Sequence, residues 1–112
     1  MSPLNVTCED TVTGPVVHVA GDLDHACAPT LRHRIDALDL APGRRLVIDL
    51  AGMDFCDSSG ITALLAARQR ALAAGADIAL AAVPKDTLRI LAVVGLDQVF
   101  TVHPDADSAT AG

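Results

Sequence analysis

Asp57-Ser58-Ser59-Gly60 is the stretch whose residue types and spacing can do the most chemistry. A compact apolar run, Arg45 to Leu50, precedes it. An amphipathic pattern with Ile61, Leu64, Leu65 and Leu72 on one face follows it. The four residues thus stand where a strand hands over to a helix. Asp57 or Ser58 can cap that helix by accepting from its unpaired N–H groups. The same terminus carries partial positive charge and tolerates an anion. A serine there presents its hydroxyl outward at the mouth of a sheet. A phosphate placed on it would sit beside the helix N-terminus. Spacing alone leaves both roles open, cap and phosphoacceptor.

The other polar residues sort by the same chemistry. Asp22 and Asp24 follow a strand and are expected in a loop. There they either form the turn and cap the next helix or meet a basic partner surface. His25 beside them reads as a solvated loop histidine. Ser59 reads as a first-turn residue whose hydroxyl faces the backbone, and Gly60 as a point of close approach for a partner. Cys56 has no histidine placed near it and reads as a small buried hydrophobe rather than a nucleophile. His18, His33 and His103 lack ligand spacing with carboxylates or cysteines, so no metal is expected. Cys8, Cys27 and Cys56 contain no C-x-x-C pair, which argues against a disulfide scaffold or a zinc site. No G-x-S-x-G elbow and no Gly-rich phosphate loop is present. No catalytic residue and no cofactor are expected.

These residues need elements to hold them. Leu4, Val6 and Cys8 alternate as a short strand, which Val12 extends. Gly14-Pro15 turns the chain into a second strand, Val16 to Ala20, and Gly21-Asp22-Leu23-Asp24 ends it. Leu31, Ile35 and Leu38 recur at helical spacing, with Pro29 in the first turn. Arg45 to Leu50 reads as a central strand buried on both faces, and Ala51 to Asp57 as a loop. The long helix closes at Gly75. Ile78 to Val83 is another buried strand. Pro84 opens a third helix carrying Leu88, Leu91 and Ala92, closed near Gly95, with Val93-Val94 assigned to the core. Val99 to Val102 is the last strand. Residues 103–112 read as a frayed tail with at most a short helical turn. Arg68 and Arg70 are expected on the outer face of the long helix. The order β-β-α-β-α-β-α-β predicts one α/β domain over residues 1–112, a mixed sheet with helices mainly on one face.

Composition narrows the function. The 112 residues carry 8 basic and 14 acidic side chains, a formal charge of −6, which argues against direct nucleic-acid binding. Phe55 and Phe100 are the only aromatics, too few for stacking platforms. Half the chain is apolar, 51%, enough for an aliphatic core. No apolar run approaches the roughly 20 residues of a membrane span, and no signal segment is visible. A cytoplasmic monomer that avoids membranes is the expectation.

Gly21-Asp22-Leu23-Asp24-His25, Leu46-Val47-Ile48-Asp49-Leu50 and Phe55-Cys56-Asp57-Ser58-Ser59-Gly60-Ile61, taken at their separations, are similar to the anti-sigma factor antagonists. These bacterial anti-anti-sigma proteins are built on a single STAS domain. The resemblance covers nearly the whole chain. Cys56 stands where some relatives have Met, and Thr62 where some have Gly. The resemblance implies a STAS-type fold and a partner switch. The unphosphorylated protein would bind an anti-sigma factor that is itself a serine kinase, releasing a sigma factor. Phosphorylation at Ser58 would undo the complex, and a metal-dependent serine phosphatase would reset it. Asp22, Asp24, Asp57, Ser58, Ser59, Gly60 and Ile61 are the implied partner-binding residues. Other readings remain open. One is a STAS module sensing a nucleotide or other small ligand. More remote are an acyl-carrier-like protein, disfavoured by the strand content, and an enzyme with a serine nucleophile.

Overall fold

A computed structural model describes residues 3–110. The first two strands, β1 (Asn5–Asp10) and β2 (Pro15–Leu23), form an antiparallel hairpin. Its turn is closed by reciprocal backbone bonds between Thr11 and Gly14, 2.9 and 3.1 Å. Gly14 is required there, because a Cβ would lie 2.1 Å from the Arg45 carbonyl oxygen. Val12, expected to extend the strand, sits fully exposed in this turn.

The chain then alternates. Helix α1 (Ala28–Asp36) leads to β3 (Arg45–Cys56), α2 (Ser58–Ala73), β4 (Asp77–Ala81), α3 (Lys85–Val93), β5 (Thr101–His103) and α4 (Ala106–Thr110), with a 3-10 turn over Leu96–Gln98. The sheet order is β1-β2-β3-β4-β5, parallel from β2 onward. Parallel neighbours need crossovers of one hand, so α1, α2 and α3 fall on one face. Val17, Val19, Leu46, Ile48, Leu50, Ile78 and Leu80 point to that face and form the main core with Leu31, Ile35, Leu64 and Leu91. Strand alternation sends Val16, Val47, Ala79 and Ala81 to the other face, where Ala109 of α4 covers them. The expected mixed sheet and element order are both present.

Several expectations are corrected. β2 does not end before Gly21. It continues to Leu23 through register shifts at His18/Ala20 and Gly21/Asp22, so Asp22 lies in a strand and not a loop. The expected loop from Ala51 is strand as far as Cys56, drawn out by pairing with β2. Small residues form the seam of α2. Gly60, Ala63, Leu64, Ala67 and Ala71 are buried, and Leu72 is exposed. Val93 and Val94 are exposed rather than core, because Thr87 and Leu91 set the buried line of α3 and the helix ends at Val93. Leu88 likewise faces outward. Over its described part the tail forms a short helix. Its helix α4 is tied to β3 by Arg45 Nη1, which donates to the Ala109 carbonyl at 2.9 Å.

Candidate functional site

Parallel strands end at the same edge of a sheet, and ligand-facing loops collect there. β2 and β3 run side by side to that edge, pairing Asp22 with Phe55 and Leu23 with Cys56. Helix α2 starts two residues later. Its N-cap is Asp57, whose Oδ1 accepts from the Ser59 and Gly60 N–H groups at 2.9 and 3.1 Å. Oδ2 accepts from the His25 N–H at 3.2 Å, and the Asp57 N–H donates to the Leu23 carbonyl at 3.3 Å. One aspartate thus ties the helix start, the loop after β2 and the end of β2 together. The cap role, left open between Asp57 and Ser58, belongs to Asp57.

Ser58 is thereby released from capping. It is the first residue of α2 and is exposed. Its backbone carbonyl accepts from Thr62 Oγ1 at 2.9 Å. Ser59 is half-buried and turns sideways, with Oγ 3.4 Å from His25 Nδ1. Its hydroxyl therefore faces an imidazole and not the backbone.

Gly60 is buried, and the close approach it permits is internal. A Cβ would stand 2.6 Å from both Cys56 Sγ and the Leu23 carbonyl oxygen. It lets α2 start directly against β2 and β3. Ile61 is half-buried and packs on the main core. Asp24 shapes the turn into α1. Its Oδ1 accepts from the Cys27 N–H at 3.0 Å, and its carbonyl accepts from Cys27 and Ala28. Asp22 stands half-buried at the strand end.

Sequence reasoning does not mark Phe55 as a site residue. It is 52% exposed, beside Asp22 and two residues before the cap. The available signal is an aromatic left open on a chain with two aromatics. Reading Ala51 to Asp57 as a loop conceals it.

Two thiols near this site, Cys56 and Cys27, are shifted upward. Burial pushes the Cys56 thiol up to about 11, with the Asp57 charge adding to it, so it stays protonated and inert at neutral pH. Cys27 is also raised, by desolvation first and then by Asp24. Among the described residues no cluster of His, Cys, Asp and Glu is arranged to hold a metal ion. No described helix is long and apolar enough to cross a membrane.

Residues 6–102 match the family model described as Mlab, STAS domain. The anti-sigma-F factor antagonist RsfA of Mycobacterium tuberculosis is 28% identical over 109 residues, 95% of this chain and 84% of that protein. The crystal structure of an anti-sigma factor antagonist from Mycobacterium paratuberculosis superposes with a TM-score of 0.80 at 28% identity, covering 96% of this chain and 91% of that one. The anti-sigma factor antagonist SpoIIAA in its unphosphorylated form shares the fold, with a TM-score of 0.75 at 17% identity over 94% and 92% of the two chains. A capped serine helix at the parallel end of a five-stranded sheet, and a family match spanning β1 to β5, lead to one conclusion: the chain belongs to the STAS-domain family.

Proposed function

We propose that the protein is an anti-sigma factor antagonist that binds a kinase-type anti-sigma factor when unphosphorylated and lets go when Ser58 is phosphorylated. The observation that carries this reading is the division of labour at the start of α2. Asp57 caps the helix, and Ser58 stands exposed at its first position. The similarity to RsfA and to the mycobacterial antagonist supports the partner class.

The physics of the switch follows from the surroundings. A kinase can reach a hydroxyl on the first turn of a helix without opening a strand. The phosphate brings about −1.5 to −2 charges and three acceptor oxygens. It arrives beside Asp57, with Asp22 and Asp24 at the neighbouring strand end. The helix N-terminus can hold it without refolding the domain. In an interface, such a concentration of like charge costs several kcal/mol, and each 1.4 kcal/mol is about tenfold in affinity. Phe55 and the half-buried Ile61 supply the apolar part of the contact, and Asp22 the acidic part. An aromatic side chain that becomes buried at the centre of a contact can serve as a binding anchor. A metal-dependent serine phosphatase would reset the switch.

The test is to incubate the protein with its kinase and ATP, locate the phosphate by peptide mass spectrometry, and titrate both forms against the anti-sigma factor. Label is expected on Ser58, with affinity falling at least about tenfold. Ser58→Ala should bind constitutively and keep its stability, since Asp57 and not Ser58 is the cap. Ser59→Ala should still be labelled. Label on Ser59 alone, or equal affinity of the two forms, would overturn the assignment.

A further inference from the structure

A second polar constellation lies away from Ser58, on the sheet face that α4 partly covers. Glu9, His18 and Asp49 form a line across β1, β2 and β3. His18 Nε2 is 2.8 Å from Glu9 Oε1, and Nδ1 is 2.7 Å from Asp49 Oδ2. Asp49 Oδ1 accepts from the Ala51 N–H at 3.0 Å. His18 and Asp49 are register partners in the β2–β3 pair, so the backbone itself sets that contact.

Proton bookkeeping decides the state of this line. An ionised carboxylate only accepts hydrogen bonds. A neutral imidazole has a single N–H and can serve one carboxylate, whereas the imidazolium has two and serves both. We propose that His18 is held as the imidazolium and clasps edge strand β1 to the centre of the sheet, making this edge a pH-sensitive element of the fold. When the ring loses its proton, one of the two bonds must go, and Glu9 on the solvent side is the carboxylate released. Its side chain is 62% exposed, against 15% for Asp49.

The surrounding charges agree with this. The His18 pKa is raised above 6.5, first by the bond to Glu9. Burial opposes the rise, and the Asp49 bond and both negative charges reinforce it. On β1 the register partner of His18 is the uncharged Thr7. On β3, Arg45 shares this face but directs its guanidinium to the Ala109 carbonyl. Asp105 and Asp107 are the charged groups of α4 and its approach, and neither is among the causes of the His18 shift. The clasp's contribution is therefore complete below the unfolded value near 6.5 and fades as pH rises through the higher folded value.

The test reads the ring directly and is independent of any event at Ser58. Long-range proton–nitrogen NMR on the whole protein follows the two His18 nitrogens across pH. Both should carry protons at about pH 6, with a titration midpoint above 6.5. Glu9→Gln changes an exposed edge side chain and should lower the midpoint by about one pH unit, roughly a tenfold change in proton affinity. Hydrogen exchange gives the second readout. After correction for intrinsic base catalysis, the β1 amides should lose protection relative to those of α2 as pH passes the midpoint. Glu9→Gln should abolish that step. A midpoint at or below 6.5, one unmoved by both Glu9→Gln and Asp49→Asn, or β1 protection that tracks α2 at every pH would overturn the proposal.

Discussion

Single atoms decide most of what happens at the start of α2. The missing Cβ of Gly60 lets the helix begin against Leu23 and Cys56, and the Asp57 carboxylate holds three backbone N–H groups from two segments. Gly60→Ala should therefore cost about 1–3 kcal/mol, because the new methyl meets a backbone carbonyl that cannot move aside. A urea unfolding curve of the variant checks it, and an unchanged midpoint would mean that the strand ends yield freely. The motif's chemistry is legible in the sequence, since aspartate and serine before a helical pattern announce a cap. The assignment of the cap to Asp57 is not. Both residue types are good caps, and only the backbone angle at Asp57 aims its carboxylate at the helix. Asp24 is equally ambiguous in sequence, and its bond to the Cys27 N–H makes it a former of the turn into α1. Asp24→Lys consequently disturbs local structure as well as surface charge.

At the scale of elements, large aliphatic residues are good guides and small ones poor. The compact apolar run from Arg45 to Leu50 identifies the central strand, and Leu31 with Ile35 the first helix. Ala51-Gly52-Met53-Asp54 carries no such signal, so its strand geometry comes from the neighbour it pairs with. Gly21 and Asp22 are poor strand formers on their own, and a register shift in the ladder accommodates them. In α2 the alanines form the buried seam and displace Leu72 to the surface. Helix α4 is the least legible element, because five residues with one buried alanine carry almost no periodicity. Its start is fastened by Asp105 Oδ1, which accepts from the Ser108 N–H at 2.7 Å. That backbone bond is the chief reason the Asp105 carboxyl lies below its ordinary value. A lowered folded value contributes stability above the unfolded pKa and loses it as pH falls through the folded one. The amides of Ser108 to Thr110 should accordingly lose protection as pH drops below 3.8. Asp105→Asn should keep the cap but flatten this response, as amide exchange would report.

For the whole molecule, the formal charge of −6 sets the approach of partners. Acidic groups at the strand ends favour a basic docking surface and raise the encounter rate. The association rate with the anti-sigma factor should fall about tenfold or more between low and high salt, with dissociation much less affected. Stopped-flow mixing at several salt concentrations measures this, and a flat profile would show that charge does not steer the encounter. The order of the sheet has a consequence for how the molecule is made. Spatial order equals sequence order, β1 to β5, so every strand settles beside the one synthesised just before it. No early strand must hold a gap open for a later one. The sheet can grow from one side while the chain is still leaving the ribosome, its open margin always the newest strand. Growth stops at β5, three residues long, a margin too short to serve as a template for a stranger's strand.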